Sequence, residues 1–248
     1  MLVDRVVAQL IARLKSNNPD ASWQAVNALA QIGLPAVPAL ITTLEESRYR
    51  VRLGAVEALH KIGHCAVPAL TQAIQGGDEA VRTSVIEVLL KSGDVRAIPA
   101  LAGALEDESS IVRQRAVEAL GAIGVPAVPT LIEALQNSHY GVYRNVAKVL
   151  GEIKDARAVP ALIDKLRCTG GRVQKSMVVA LGEIGDARAV PVLLETLTKG
   201  EEALRPSIIE ALIQIGDART VPALTESLEK STPEMCLRIL ELLGEIGD

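Results

Sequence analysis

The sequence predicts an all-α solenoid, a stack of about eight two-helix repeats running as one body over residues 1–248. Three observations carry this. A block reading close to IG-D-ARAVPALI..L, followed by a second apolar stretch, returns along the whole chain. The residues that close successive blocks are Gly33, Gly63, Gly93, Gly124, Lys154, Gly185, Gly216 and Gly247, at spacings of 30, 30, 31, 30, 31, 31 and 31. Self-similarity at a fixed period of this size marks stacked supersecondary units. Apolar residues recur at helical spacing, and strand alternation appears nowhere. Aromatics are only 2% of a chain that is 49% apolar, and Phe is absent. A core of Ala, Val, Leu and Ile suits closely packed helix layers, which large rings would hold apart.

Each unit reads the same way. In residues 152–181 a first helix carries Val159, Leu162, Ile163 and Leu166 on one face, and a second carries Val173, Met177, Val178 and Leu181. Pro38, Pro68, Pro99, Pro129, Pro160, Pro191 and Pro222 fall near the start of the first helix, where a missing N–H costs nothing. The closing glycine suits a left-handed residue at the end of the second helix. Some connectors run five residues from Gly to Pro, as in Gly33 to Pro38. Others run six, as in Gly185 to Pro191, so the variation in period lies between repeats. Repeats are expected near 1–33, 34–63, 64–93, 94–124, 125–154, 155–185, 186–216 and 217–248. Second helices are expected near 20–31, 49–61, 79–91, 110–122, 140–152, 171–183, 202–214 and 233–245. The step from first to second helix is seven residues throughout (Leu44 to Val51, Leu105 to Val112, Leu166 to Val173), so no repeat carries an inserted catalytic loop.

Charge and composition exclude several classes. With 26 basic and 30 acidic residues the net charge is −4, against the broad basic footprint of nucleic-acid binders. No apolar run approaches the ~18 residues that span a membrane. The opening MLVDRVVAQLIARLK is amphipathic and interrupted by Asp4, Arg5 and Arg13, unlike a secretory signal. Cys65, Cys168 and Cys236 lie in different repeats without a CxxC, which argues against a disulfide frame or zinc site and favours a reducing cytoplasm. Thr169-Gly170-Gly171 lacks the Gly-Lys-Ser/Thr of a phosphate loop. His64-Cys65 sits in an inter-repeat turn, where sequence neighbours rarely face each other.

The blocks EIKDARAVPALIDKL, EIGDARAVPVLLETL and QIGDARTVPALTESL, with VRLGAVEALHKIG and VRQRAVEALGAIG, resemble the HEAT-like repeats of the phycobilisome-lyase type over essentially the entire chain. The resemblance implies an α-solenoid whose second helices line a concave face. It also implies a spread of roles: bilin attachment or detachment, phycobilisome turnover, and scaffolds without catalysis. Deoxyhypusine hydroxylase, similar to this class, holds iron through His-Glu dipeptides. The three histidines here precede Lys61, Cys65 and Tyr140, so no such iron site is expected.

Three features point to function. Arg52, Arg82, Arg113 and Arg205 begin second helices, replaced elsewhere by Ser22, Tyr143, Gln174 and Cys236. Such guanidiniums are expected to bond acids or carbonyls of neighbouring turns. With the Leu of AVEAL as buried reference, residues six and two before it and one after should face outward. In the first three repeats these are Trp23, Asn27, Leu53, Glu57, His60, Thr83, Glu87 and Leu90. Trp23 then either anchors a partner or packs inward as a cap on the first layer. The third feature is a basic band. Residues 140–175 hold eight Lys/Arg against Glu152, Asp155 and Asp164, a net of +5, whereas residues 176–248 carry −7. Tyr140, Tyr143, Arg144, Lys148, Arg172 and Lys175 lie in it. It is either an ordinary solvated face or a place for a carboxylate-bearing ligand or an acidic surface.

These features together predict a right-handed superhelical solenoid that acts as a non-catalytic, cytoplasmic protein-binding scaffold or chaperone, with the concave face as working surface. No cofactor, metal, nucleic acid or membrane insertion is expected. The alternative is a subunit of a bilin lyase/isomerase or a phycobilisome turnover factor, in which case a bilin binds. The last helix, 233–245, carries Met235, Leu237, Ile239, Leu240, Leu242 and Leu243, more apolar positions than one buried face needs. End-to-end self-association or a partner contact is expected there.

Overall fold

The computed structural model describes residues 2–247 except 138–139, 200–201 and 229–232. It leaves undescribed the side chains of 137, 140–141, 199, 202, 227, 234–235, 238, 242 and 245–247. The chain falls into two compact units, 1–127 and 128–248. The described residues of both are helical, with no strand among them. In the first unit α1 (Leu2–Leu14), α3 (Val37–Thr43), α5 (Val67–Gly76) and α7 (Ile98–Ala104) are first helices. They pair with α2 (Pro19–Ile32), α4 (Tyr49–Ile62), α6 (Glu79–Ser92) and α8 (Ser110–Ile123). In the second unit α9 (Val128–Asn137), α11 (Val159–Cys168), α13 (Val190–Lys199) and α15 (Val221–Ser227) pair with α10 (Tyr140–Ile153), α12 (Gly171–Ile184), α14 (Arg205–Ile215) and α16 (Pro233–Gly247). The second helices thus begin within a residue of where the sequence places them, save α14. Glu202–Leu204 form a 3-10 turn there, and the α-helix starts at Arg205. Pro206 fits this later start: it falls in the first turn of α14, where its missing N–H has no intrahelical partner to lose.

Seven of the second helices and most of the first helices bury the same row. Leu29, Leu59, Leu89, Leu120, Leu150, Leu181 and Leu212 are fully buried, as are Leu40, Leu101, Leu131, Leu162, Leu193 and Leu224 from the first helices. Burial of a leucine contributes roughly 1.5–3 kcal/mol, so the core is a ladder of equal rungs. Within each unit consecutive second helices (α2, α4, α6, α8; α10, α12, α14) pack extensively, whereas consecutive first helices touch lightly. The second helices therefore form the tighter, inner layer of each unit. Glycine makes this possible. A Cβ on Gly151 of α10 would lie 3.0 Å from Ala180 Cα of α12, and one on Gly182 would lie 2.7 Å from Ala211 Cα of α14.

Three of the four arginines expected at the start of second helices, Arg52, Arg82 and Arg113, act on the turn before them, whereas Arg205 Nε is buried without a hydrogen-bond partner among the described residues. A first helix ends with carbonyls that lack intrahelical donors. Arg52 Nη1 donates to Glu46 O (2.7 Å) and Ser47 O (2.9 Å), Arg82 Nη1 to Gly77 O (2.8 Å), and Arg113 Nη1 to Asp107 O (2.6 Å) and Glu108 O (2.9 Å). The residues that replace arginine do the same over a shorter reach. Ser22 Oγ donates to Leu14 O (3.1 Å), Gln174 Nε2 to Leu166 O (3.5 Å) and Cys236 Sγ to Leu228 O (3.3 Å). Arg82 also pairs with Asp107 of the next turn at 2.7 Å.

Six-residue connectors carry a second device that spacing alone did not reveal. Asp94, Asp155, Asp186 and Asp217 each accept from the backbone N–H two residues on, and each pairs with the guanidinium of Arg96, Arg157, Arg188 or Arg219 at 2.6–2.8 Å. Arg188 Nη2 reaches on to Ala156 O (2.8 Å) and Arg219 Nη2 to Ala187 O (2.9 Å), linking one connector to the one before. Hydrogen bonds from the arginine side chain, then from its backbone N–H, hold the carboxyls of Asp94 and Asp217 down at about 2, against an ordinary 3.8. A carboxyl depressed in the folded state adds stability above its unfolded pKa and loses it as pH falls through the folded one. The melting temperature of the native chain should therefore exceed that of Asp94→Asn/Asp217→Asn at neutral pH. The gap should close between pH 4 and pH 2; a gap constant across that window would remove these pairs from the stability of the connectors.

The backbone of the connectors divides with their length. At the six-residue ones Gly185 (φ 73°, ψ 20°) and Lys154 (φ 58°) are left-handed, a region that tolerates a side chain. At the five-residue ones Gly33 takes φ 73°, ψ −136°, which essentially only glycine adopts. On α16, Ile239 is buried while Leu237 and Leu240 are 60% and 54% exposed. The side chains of Met235 and Leu242 lie outside the described residues.

Candidate functional site

The inner layer exposes a narrow stripe of each second helix, and the sequence-predicted residues divide among three places on it. The first is on α2 and α4. Trp23 is 54% exposed, with Lys61 Nζ 4.7 Å from its ring centroid, and the same ammonium donates to Asn27 Oδ1 at 2.8 Å. The tryptophan therefore lies on the surface beneath a cation instead of capping the layer from inside. The second place is a groove of about 400 Å³ on α4, α6 and α8, where exposed Leu53 joins Tyr49, Thr83, Ser84 and Ile111. Glu57 stands apart from it, 3.5 Å from Lys91 Nζ.

His60 and Leu90 are not on the stripe. Both are half-buried, and His60 Nδ1 is buried without a hydrogen-bond partner. They occupy the position one after the reference leucine, the same position as Gly151 and Gly182, which faces the next second helix across the seam. The expectation that this position points outward is corrected accordingly. A signal existed in the sequence: an exposed helical position gains nothing from glycine, which costs roughly 0.5–1 kcal/mol there, so Gly151 and Gly182 mark a close approach.

The third place gathers most of the basic band. Arg144, Asn145 and Lys148 of α10 and Arg172, Lys175, Ser176 and Val179 of α12 line a groove of about 470 Å³. All four cations are exposed. Lys148 has Glu152 at 3.6 Å, while Arg144, Arg172 and Lys175 have no ion-pair partner among the described residues. Tyr143 is half-buried below the groove, with Lys165 Nζ 3.9 Å from its ring centroid. The side chain of Tyr140 lies outside the described residues. At the seam beyond Lys148, Glu183 is half-buried with Oε2 unpartnered. Burial, then the nearby Glu152, pushes its carboxyl above the usual range. The groove therefore offers four exposed cations, three of them without an ion-pair partner among the described residues, beside half-buried polar Asn145 and Ser176. That arrangement attracts carboxylates or other anions by charge-assisted hydrogen bonds.

Among the described residues no group of three or more His, Cys, Asp or Glu side chains is placed to hold a metal ion. Cys65 and Cys168 are exposed thiols, and no helix of the described residues is long and apolar enough to cross a membrane.

Stacked helix pairs with a buried leucine ladder define a helical-repeat protein. A family model for HEAT repeats matches residues 7–75, 44–121, 102–169 and 162–244, and the chain belongs to the HEAT-repeat family. No curated protein matches it in sequence. Among solved structures, YibA of E. coli is similar in fold, with a TM-score of 0.57 at 20% identity over 97% of this chain and 92% of that one. The complex of CpcE and CpcF of phycocyanin lyase from Nostoc sp. aligns with a TM-score of 0.38 at 22% identity, covering 97% of this chain and 94% of that one. Human deoxyhypusine hydroxylase aligns with a TM-score of 0.44 at 21% identity, covering 87% and 97%.

Proposed function

We propose that this protein is a non-catalytic scaffold that binds another protein through the exposed stripe of its second helices. The α10–α12 groove is the point where an acidic surface of that partner docks. The observation that carries this reading is the convergence of Arg144, Arg172 and Lys175 without an ion-pair partner among the described residues. Elsewhere the guanidiniums of Arg52, Arg82, Arg113, Arg188 and Arg219 are bound to carbonyls or carboxylates. HEAT repeats commonly serve protein interaction, and a long inner layer without inserted loops suits that use better than catalysis.

The test compares what the native chain and Arg144→Glu/Lys148→Glu retain from native lysate, followed by mass spectrometry. The native chain should hold a discrete partner that the variant retains at least about tenfold less, equivalent to ~1.4 kcal/mol. The partner should also wash off as salt rises. Melting temperatures should match, because both side chains are exposed. Retention that ignores both salt and charge reversal would take the partner away from this groove. Mixing the native chain with a free bilin tests the lyase-subunit alternative: a change in long-wavelength absorption would replace the scaffold reading.

A further inference from the structure

The placement of the cations in the groove bears on the conformation of what binds there. Its cations stand in two groups, Arg144 and Lys148 on α10, Arg172 and Lys175 on α12. Along their helices Arg144 and Lys148, four residues apart, are separated by about 6 Å and Arg172 and Lys175, three apart, by about 4.5 Å, and packed helices lie about 8–10 Å apart. An extended chain sends successive side chains to opposite sides and advances about 6.6–6.8 Å every second residue. Consecutive acids on such a chain would meet the two groups alternately, the long arginine and lysine side chains taking up the remaining difference of about 1–2 Å in spacing. A helix already bonds its own peptide groups internally and presents acids from one face only. An extended backbone keeps free N–H and C=O groups, and the groove has something for them. The half-buried amide of Asn145 makes no hydrogen bond among the described residues, and Ser176, whose hydroxyl donates to Arg172 O at 3.2 Å, retains acceptor capacity. Exposed Val179 at the end of the groove adds an apolar seat.

We infer that the α10–α12 groove holds an extended acidic segment of a partner protein, its carboxylates alternating between Arg144/Lys148 and Arg172/Lys175 and its backbone bonded by Asn145. This rests on the reading that an acidic partner docks in the groove, and adds the conformation it must adopt.

Fluorescence anisotropy with the full chain tests it. One labelled peptide carries four consecutive acids, Glu-Asp-Glu-Asp, between Gly-Ser flanks. The other carries four Glu at four-residue intervals in a hydrocarbon-stapled helix. The extended peptide should bind at least about tenfold more tightly at low salt. Arg172→Gln and Lys175→Gln should each weaken it about two- to fivefold, the size of an exposed ion pair. Asn145→Ala should weaken the extended peptide and leave residual binding of the helical one unchanged. Equal or tighter binding of the stapled helix would overturn the extended mode while leaving an acidic partner in place. Failure of both peptides at low salt would remove the acidic partner as well. A single-stranded oligonucleotide of matched charge binding as tightly as the extended peptide would reduce the groove to an unselective anion surface.

Discussion

Leu120→Ala is expected to destabilise the first unit by about 2–5 kcal/mol, the cost of a leucine-sized cavity in a core that relaxes only partly. Leu120 is fully buried in α8, between Val117 and the connector whose Gly124 N–H bonds to Leu120 O at 3.2 Å. Its neighbour Glu118 is two residues earlier on the exposed stripe, where it accepts from Gln114 Nε2 at 3.0 Å and Arg115 Nη1 at 3.1 Å. Removing those contacts by Glu118→Ala should cost no more than about 0.5 kcal/mol. Urea unfolding of the two variants checks both numbers. Comparable losses from the two would mean that the helix phase assigned to α8 is wrong.

Gly182→Val is expected to cost about 2–3 kcal/mol in the second unit through overpacking. The first carbon added would lie 2.7 Å from Ala211 Cα and 2.8 Å from its Cβ, contacts that involve backbone and cannot be relieved by turning a rotamer. The two helices must separate, and the seam they share is the tightest kind in the protein. Gly103→Ala in α7 is the matched opposite. Nothing stands within 4 Å of the carbon it adds, so the gain is the helical preference of alanine, about 0.4–1 kcal/mol in favour of folding. Opposite signs in thermal or urea unfolding would establish which glycines are spacers. A tolerated Gly182→Val would show that α12 and α14 are held apart in solution.

Much of the fold was legible because its punctuation is local. Glycine and proline delimit the helix pairs, and a period of 3.6 identifies the core leucine of each. The arginine row was legible in role, since a guanidinium at a helix start has few nearby acceptors besides the preceding turn. The errors came from geometry that one helix cannot report. A second helix here meets its own first helix and two neighbouring second helices, so only a narrow wedge remains for solvent. Periodicity finds the side opposite the core but overestimates its width, which is how His60 and Leu90 were placed outside. The basic groove was half legible. Charge density in residues 140–175 was plain, but which cations are already engaged depends on contacts. Arg157 is held by Asp155, Lys148 has Glu152 at 3.6 Å, Lys165 stands over Tyr143, and Arg167 has Glu195 at 4.0 Å, whereas Arg144, Lys154, Arg172 and Lys175 have no ion-pair partner among the described residues.

The two kinds of connector divide the chain by its freedom to vary. A position with the backbone of Gly33 is closed to every side chain, so a repeat that ends this way has one replacement-proof residue. Adding a single residue to the connector relaxes that backbone into a region where Lys154 already stands, and supplies the aspartate that holds the longer turn together. Glycine is then dispensable at the very place where the short connector demands it. Lineages descending from such a chain would keep glycine at the short connectors and drift at the long ones. A designer shuffling repeats would find the long connector the more forgiving joint.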